Sequence, residues 1–167
     1  MGSEIGERIR QPPFDRWAAG HFDPHYGFAW YCGRGLIVSH LTIRHATEAA
    51  ATAYHDFEEY VLRTQAREIA KNDGLFVIHD WRLLHTYEPA ARRVWQDRMQ
   101  ARAKGYLRGS IVCVSKAGPL LRMAVQAGNL VASLAHGAKV ELSTDLYAAF
   151  RQHDVVPPTA SRLTPPV

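Results

Sequence analysis

The residues best placed for chemistry lie in one segment. Phe76-Val77-Ile78-His79-Asp80-Trp81-Arg82 ends an apolar run on an acid and a base, and Leu83-Leu84-His85-Thr86-Tyr87-Glu88-Pro89-Ala90-Ala91-Arg92 follows with a hydroxyl ahead of a helix. An acid at the C-terminal end of a strand, followed by a hydroxyl at a helix start, lies where open α/β sheets bind ligands. Asp80 there is either a working acid or a carboxylate paired with Arg82 or a backbone amide, and pairing is the simpler expectation. Thr86 can carry a phosphate, which free N–H groups and the helix dipole would stabilise. The simpler expectation is a plain N-cap, worth about 1 kcal/mol.

Ser115-Lys116-Ala117-Gly118-Pro119 is a second candidate. A Gly-containing turn with Lys116 ahead of a helix can hold an anion, but it lacks the spacing of a nucleotide-binding loop. His21-Phe22-Asp23-Pro24-His25 offers two histidines and an acid in a Pro-broken stretch, and no spacing in the chain gathers the three or four ligands that zinc needs, so neither metal nor cofactor is expected. No GxSxG elbow or other nucleophile–base pattern occurs. Cys32 and Cys113 sit in apolar runs and read as packing residues. Arg92, Arg93, Arg98, Arg102, Lys104 and Arg108 cluster on one helix and its exit. Glu88 and Asp97 dilute that charge, so a solvated face or an acidic protein partner is expected, not nucleic acid.

The elements that position these residues follow from periodicity. Phe28–Cys32 and Leu36–Ile43 are apolar, β-favouring runs joined by Gly33-Arg34-Gly35, which fits a hairpin. Thr47 caps a helix to about Asn72, with Ala50, Tyr54, Phe57, Val61 and Ile69 on its stripe and Glu58 and Glu59 on other faces; Gly74 stops it. Leu75–Ile78 and Ser110–Val114 read as strands buried on both faces. Between them runs a helix capped by Thr86, with Glu88 and Pro89 in its first turn. Pro119 opens a third helix, apolar nearly all round, to about His136, and such a helix is either wedged against the sheet or shared with a second subunit. Lys139–Leu142 is the last strand, and Ser143 or Thr144 caps a final helix over Asp145–His153. Strand–helix–strand units with short links give right-handed crossovers and a mostly parallel sheet.

The expected fold is therefore α/β: one domain over residues 27–154, with a mostly parallel sheet, an N-terminal antiparallel hairpin and four helices. An irregular arm precedes it over 1–26, docked through Phe14 and Trp17, and a Pro-rich disordered tail follows over 155–167. The length of 167 residues suits one domain, and 47% hydrophobic with 22% charged residues excludes a wholly disordered or fibrous chain. A net charge of +4 is a mild excess, and no run approaches a membrane span or a signal-peptide core. A cytoplasmic location is expected.

This element order, with Asp80-Trp81-Arg82 and then Tyr87-Glu88-Pro89-Ala90-Ala91, resembles the STAS superfamily, named for sulfate transporters and anti-sigma-factor antagonists. It looks most like the SpoIIAA-like branch, over roughly residues 28–153. The resemblance implies a bacterial regulatory or scaffolding module that binds protein partners and does no chemistry of its own. In the antagonists a serine at the start of the second helix is phosphorylated by a partner kinase; Thr86, preceded by His85, stands at the matching place. The working surface would comprise Asp80, Arg82, His85, Thr86, Tyr87 and Arg92, with self-association through an apolar helix face or the sheet edge. The rival reading is a Sec14-like carrier or sensor of a small apolar or anionic ligand. Its pocket would be lined by Trp81, Tyr87, Leu121 and Met123, with Lys116 and Gly118 for an anion.

Overall fold

The computed structural model describes residues 13–115 and 119–159, the side chains at 119–121, 124 and 127 excepted. Lys116 and Gly118, the candidates for an anion, lie outside the described residues, as do the first part of the expected arm and residues 160–167 of the expected tail. In chain order the elements are β1 (Gly27–Gly33), β2 (Leu36–Leu41), β3 (His45–Ala46), α1 (Glu48–Thr64), α2 (Ala66–Lys71), β4 (Leu75–Asp80), β5 (Thr86–Tyr87), α3 (Pro89–Ala101), β6 (Leu107–Cys113), α4 (Pro119–His136), β7 (Lys139–Ser143) and α5 (Leu146–Gln152). Five strands form one sheet in the order β1-β2-β4-β6-β7. Only the β1–β2 hairpin is antiparallel; the other pairs in that sheet are parallel. The α/β fold with its antiparallel edge is the one the sequence predicts.

Register sorts the side chains onto two faces. Ile37 and Val77, then Ser39 and His79, lie side by side on one face, while Val38 and Ile78, then His40 and Asp80, lie on the other. On the first face α1, α3 and α4 pack, burying Tyr54, Phe57, Val61, Met99 and Ala132 against Ala29, Ile37, Leu75 and Val77. The second face is covered by α5 and by the residues before β1. Phe14 and Trp17 dock there beside Trp30, Val38, Ile78 and Phe150. The same N-terminal stretch shields the β1 edge: the His21 N–H donates to the Ala29 carbonyl (3.0 Å), and the Trp30 Nε1–H donates to the Ala18 carbonyl (2.6 Å). The Ala18 N–H in turn donates to the Pro158 carbonyl (2.9 Å), which draws the two ends of the described chain together.

Several boundaries differ from expectation, each for a physical reason. The helix expected over 47–72 breaks at Gln65 (φ −114°, ψ 17°), so five helices are present among the described residues where four were expected. Thr64 Oγ1 donates back to the Tyr60 carbonyl (2.8 Å), a bond known to bend helices. Thr86 does not cap α3. The residue before a proline is held extended, so the helix starts no earlier than Pro89 and Glu88 becomes the N-cap. Thr86 and Tyr87 then remain extended and pair with His45 and Ala46. Asp145, rather than Ser143 or Thr144, caps α5, accepting from the Ala148 N–H (2.8 Å). Strand β4 runs on through His79 and Asp80. Strand β6 begins at Leu107 and contains Gly109, where a Cβ would meet the Phe76 ring at 2.8 Å. Cys113 is buried, whereas Cys32 is partly exposed. Thr47 caps α1 as expected, accepting from the Ala50 N–H (3.2 Å). Among the described residues no helix is long and apolar enough to cross a membrane.

Candidate functional site

The extra residues of β4 matter because His79 and Asp80 point to opposite faces of the sheet and build two different environments. Asp80 is fully buried on the α5 side. Its Oδ2 meets His40 Nδ1 at 2.7 Å, and Arg82 grips both oxygens, through Nε (2.7 Å) and Nη2 (2.9 Å). Burial alone would raise the Asp80 carboxyl. The hydrogen bonds from His40 and Arg82 outweigh it, and the group is held below the usual carboxylate range. Phe14 lies over the His40 ring, 4.7 Å between centroids. Asp80 is thus a pairing carboxylate, as the simpler reading expected, with His40 added as its second partner. Cys113, next to it on the same face, is pushed up to about 12 by burial and by the Asp80 charge, so it is a thiol at neutral pH.

His79 faces α1 and α3. Its Nδ1 lies 2.8 Å from Ser39 Oγ, and its ring packs among Tyr54, Trp81 and Trp95 at centroid distances of 5.1–5.4 Å. Burial pushes His79 down to about 3, which keeps it neutral. Beyond it, toward α4, opens a cavity of about 70 Å³. Its floor is Ser110, Val112 and Val140 on the sheet; α3 contributes Trp95, Gln96 and Met99, α4 contributes Val125, Gly128 and Val131, and Trp81 and Tyr87 stand at the strand ends. Ser110 Oγ is buried and makes no hydrogen bond among the described residues. A methyl built on Gly128, in the middle of α4, meets no described atom within 4 Å. Among the described residues no formally charged side chain lines the cavity.

A third cluster holds α3 to α1. Glu58, off the apolar stripe as expected, is nevertheless buried and is joined by Arg102 and by His55 Nδ1 (3.1 Å). Burial opposes its charge, but Arg102 and His55 hold the carboxyl at about 2. Arg98 bonds Asp56 (3.0 Å) and Glu59 (2.9 Å). Two members of the basic cluster therefore serve helix–helix contact rather than a solvated face.

The structure separates the residues singled out in the sequence. Trp81 and Tyr87 come together at the cavity, 6.3 Å between ring centroids. Asp80 and Arg82 lie on the opposite face of the sheet. His85, Thr86 and Arg92 are exposed on the rim. Thr86 Oγ1 bonds His45 Nδ1, and the His85 N–H donates to the Arg44 carbonyl (2.8 Å). Met123 is 63% exposed and points away from the cavity; Leu121 belongs to α4, and its side chain is outside the described set. Ser110, Gln96 and Gly128 were missed as site residues. The signals available for them were a lone serine in an apolar strand and a glycine inside an otherwise apolar helix. Asp23 of the His21–His25 stretch accepts from the His25 N–H (2.9 Å), and among the described residues no three or more potential ligands gather to hold a metal. No family model matches the chain, and no curated protein matches it.

Proposed function

We propose that the chain is a non-enzymatic binding module that holds a small, neutral, largely apolar ligand between its sheet and helices α3 and α4. The observation that carries this reading is the cavity itself: among the described residues it has aromatic walls, no formal charge, and one buried hydroxyl, Ser110, with no partner. Pockets of this composition, mostly apolar with a few polar groups to fix orientation, are what small ligands use. A volume of about 70 Å³ is half the roughly 150 Å³ of a cavity known to take benzene, so the ligand is a few heavy atoms or the end of a chain. The neutral His79 and a lining without formal charge among the described residues favour a neutral ligand. The closed pairing of Asp80 and the raised Cys113 support a module without chemistry of its own.

The rim supplies the output. His85, Thr86 and Arg92 lie in the chain around Tyr87, which lines the cavity, and offer exposed polar side chains to a partner protein. The STAS-like regulatory reading, resting on element order and the Asp80–Arg92 segment, fits this division of labour. Control by phosphate at Thr86 is not part of the proposal, because Thr86 precedes the N-cap by two residues and would not present a phosphate to the free N–H groups of α3.

The test is a thermal-shift titration with short-chain alcohols, amides and lactones beside their carboxylate and ammonium counterparts. A neutral compound should raise the melting temperature, and its charged counterparts should not. Ser110→Ala should weaken that compound about fivefold, the worth of one hydrogen bond. Preference for a charged compound, or no shift with any neutral one, would overturn the proposal.

A further inference from the structure

We infer that a second copy of this chain docks on the outer face of α4. The inner side of this helix is settled: Val125, Ala132 and His136 are buried, and the Asn129 side chain accepts the Val140 N–H (2.8 Å). The outer side carries Met123, Leu130 and Leu134, 63%, 61% and 78% exposed. Their positions belong to a series, 120, 123, 127, 130, 134, that alternates steps of three and four and holds only Leu, Met and Ala. That is a coiled-coil seam, the pattern by which one helix receives another of like spacing.

Charge narrows the occupant. Arg122 is the one formally charged residue from Pro119 to His136, whereas α1 and α3 each carry both acids and bases. A helix face kept in water carries charged residues, and a membrane-surface helix carries a Lys/Arg-rich polar side. Apart from Arg122, this helix has neither. A strongly charged protein partner would find little complementary on it. A two-fold pair needs no complementarity beyond the patch itself, since each copy presents the same surface to the other. The three side chains expose on the order of 400 Å² of apolar surface, as large as the greatest patch of a typical monomer. That is about half of what each partner contributes to an interface of standard size, and Gln126 and Ser133, exposed on the same helix, extend it.

Sedimentation of the full chain between about 1 and 100 μM tests this at concentrations spanning ordinary homodimer affinities. The expected result is a dimer whose melting temperature rises with protein concentration. Leu130→Glu with Leu134→Glu should give a monomer with unchanged helical circular dichroism and a concentration-independent melting temperature. Leu134→Ser, a milder change, should weaken association at least about tenfold, while Arg93→Glu on α3 should leave it intact. A monomer at 100 μM would overturn the inference, including one in which residues 1–12 or 160–167 cover α4. So would a dimer that survives both the double variant and Leu134→Ser, because its contact would then lie elsewhere, such as the β7 edge.

Discussion

Replacing Gly128 by alanine tests the cavity without knowledge of its ligand. A glycine in a helix interior costs about 1 kcal/mol relative to alanine, because the unfolded chain has more freedom to lose. At most interior sites a new methyl would return part of that gain as a clash. Here it meets no described atom within 4 Å, so the full gain should appear, with a further contribution of up to about 0.8 kcal/mol if the methyl fills apolar space. For a chain of this length each kcal/mol raises the melting temperature by about 2–4 °C, so Gly128→Ala should melt about 2–7 °C higher. The methyl would also take up part of the roughly 70 Å³, so any small compound that shifts the wild type should lose most of its effect on the variant. Calorimetry and urea unfolding followed by circular dichroism measure the first effect, and the thermal-shift titration measures the second. A melting temperature below wild type would refute the reasoning, since it would mean that α4 closes onto Trp95 and Met99 in solution and leaves no room.

Further expectations concern the buried charges and the caps. His79 at about 3 and Glu58 at about 2 both lie below their ordinary values of 6.5 and 4.5. The unfolded chain therefore takes up protons first on acidification, and stability is lost from about pH 6.5 downward through His79 and from about 4.5 downward through Glu58; urea midpoints should show a loss of about 2 kcal/mol between pH 7 and pH 5, and a flat profile there would contradict the burial of His79. Arg102→Met should cost about 3–5 kcal/mol in urea unfolding by leaving Glu58 buried without its cation, and adding Glu58→Gln should recover most of the loss. Thr47→Ala and Asp145→Ala should each cost about 1 kcal/mol in the same assay as true caps, while Thr86→Ala stays within about 0.5 kcal/mol.

The architecture was legible because it depends on local signals. The hairpin followed from Gly33-Arg34-Gly35, where Arg34 (φ 54°) and Gly35 (φ 67°) take up the left-handed conformations of the turn. Leu75–Ile78 read as a buried strand because it is apolar without alternation, and Gly137 (φ 70°) ends α4 where a glycine was expected to. What escaped was whatever depends on register or on packing between distant elements. His40 pairs with Asp80 only because β2 and β4 align those two residues, and 40 positions of chain separate them. The burial of Glu58 was not legible because its partner, Arg102, lies on another helix. Of the expected pocket wall, Trp81 and Tyr87 were recoverable from their place after a strand. Met123 was not, since an apolar helix without charges hides which side faces the sheet. Thr86 was misplaced for a local reason: a hydroxyl near a helix start is a strong cue, but the extended residue before Pro89 sets the first turn.

The bond between Ala18 and Pro158 has a practical bearing on how the molecule can be handled. It joins Ala18 and Pro158 behind the sheet, on the side that carries Phe14 and Phe150, while α4 lies in front. A fluorophore or cross-linker attached at Ala18 or Thr159 would therefore sit on that rear side, away from α4. Immobilisation through Thr159→Cys would leave the front open to solution, which suits single-orientation binding measurements.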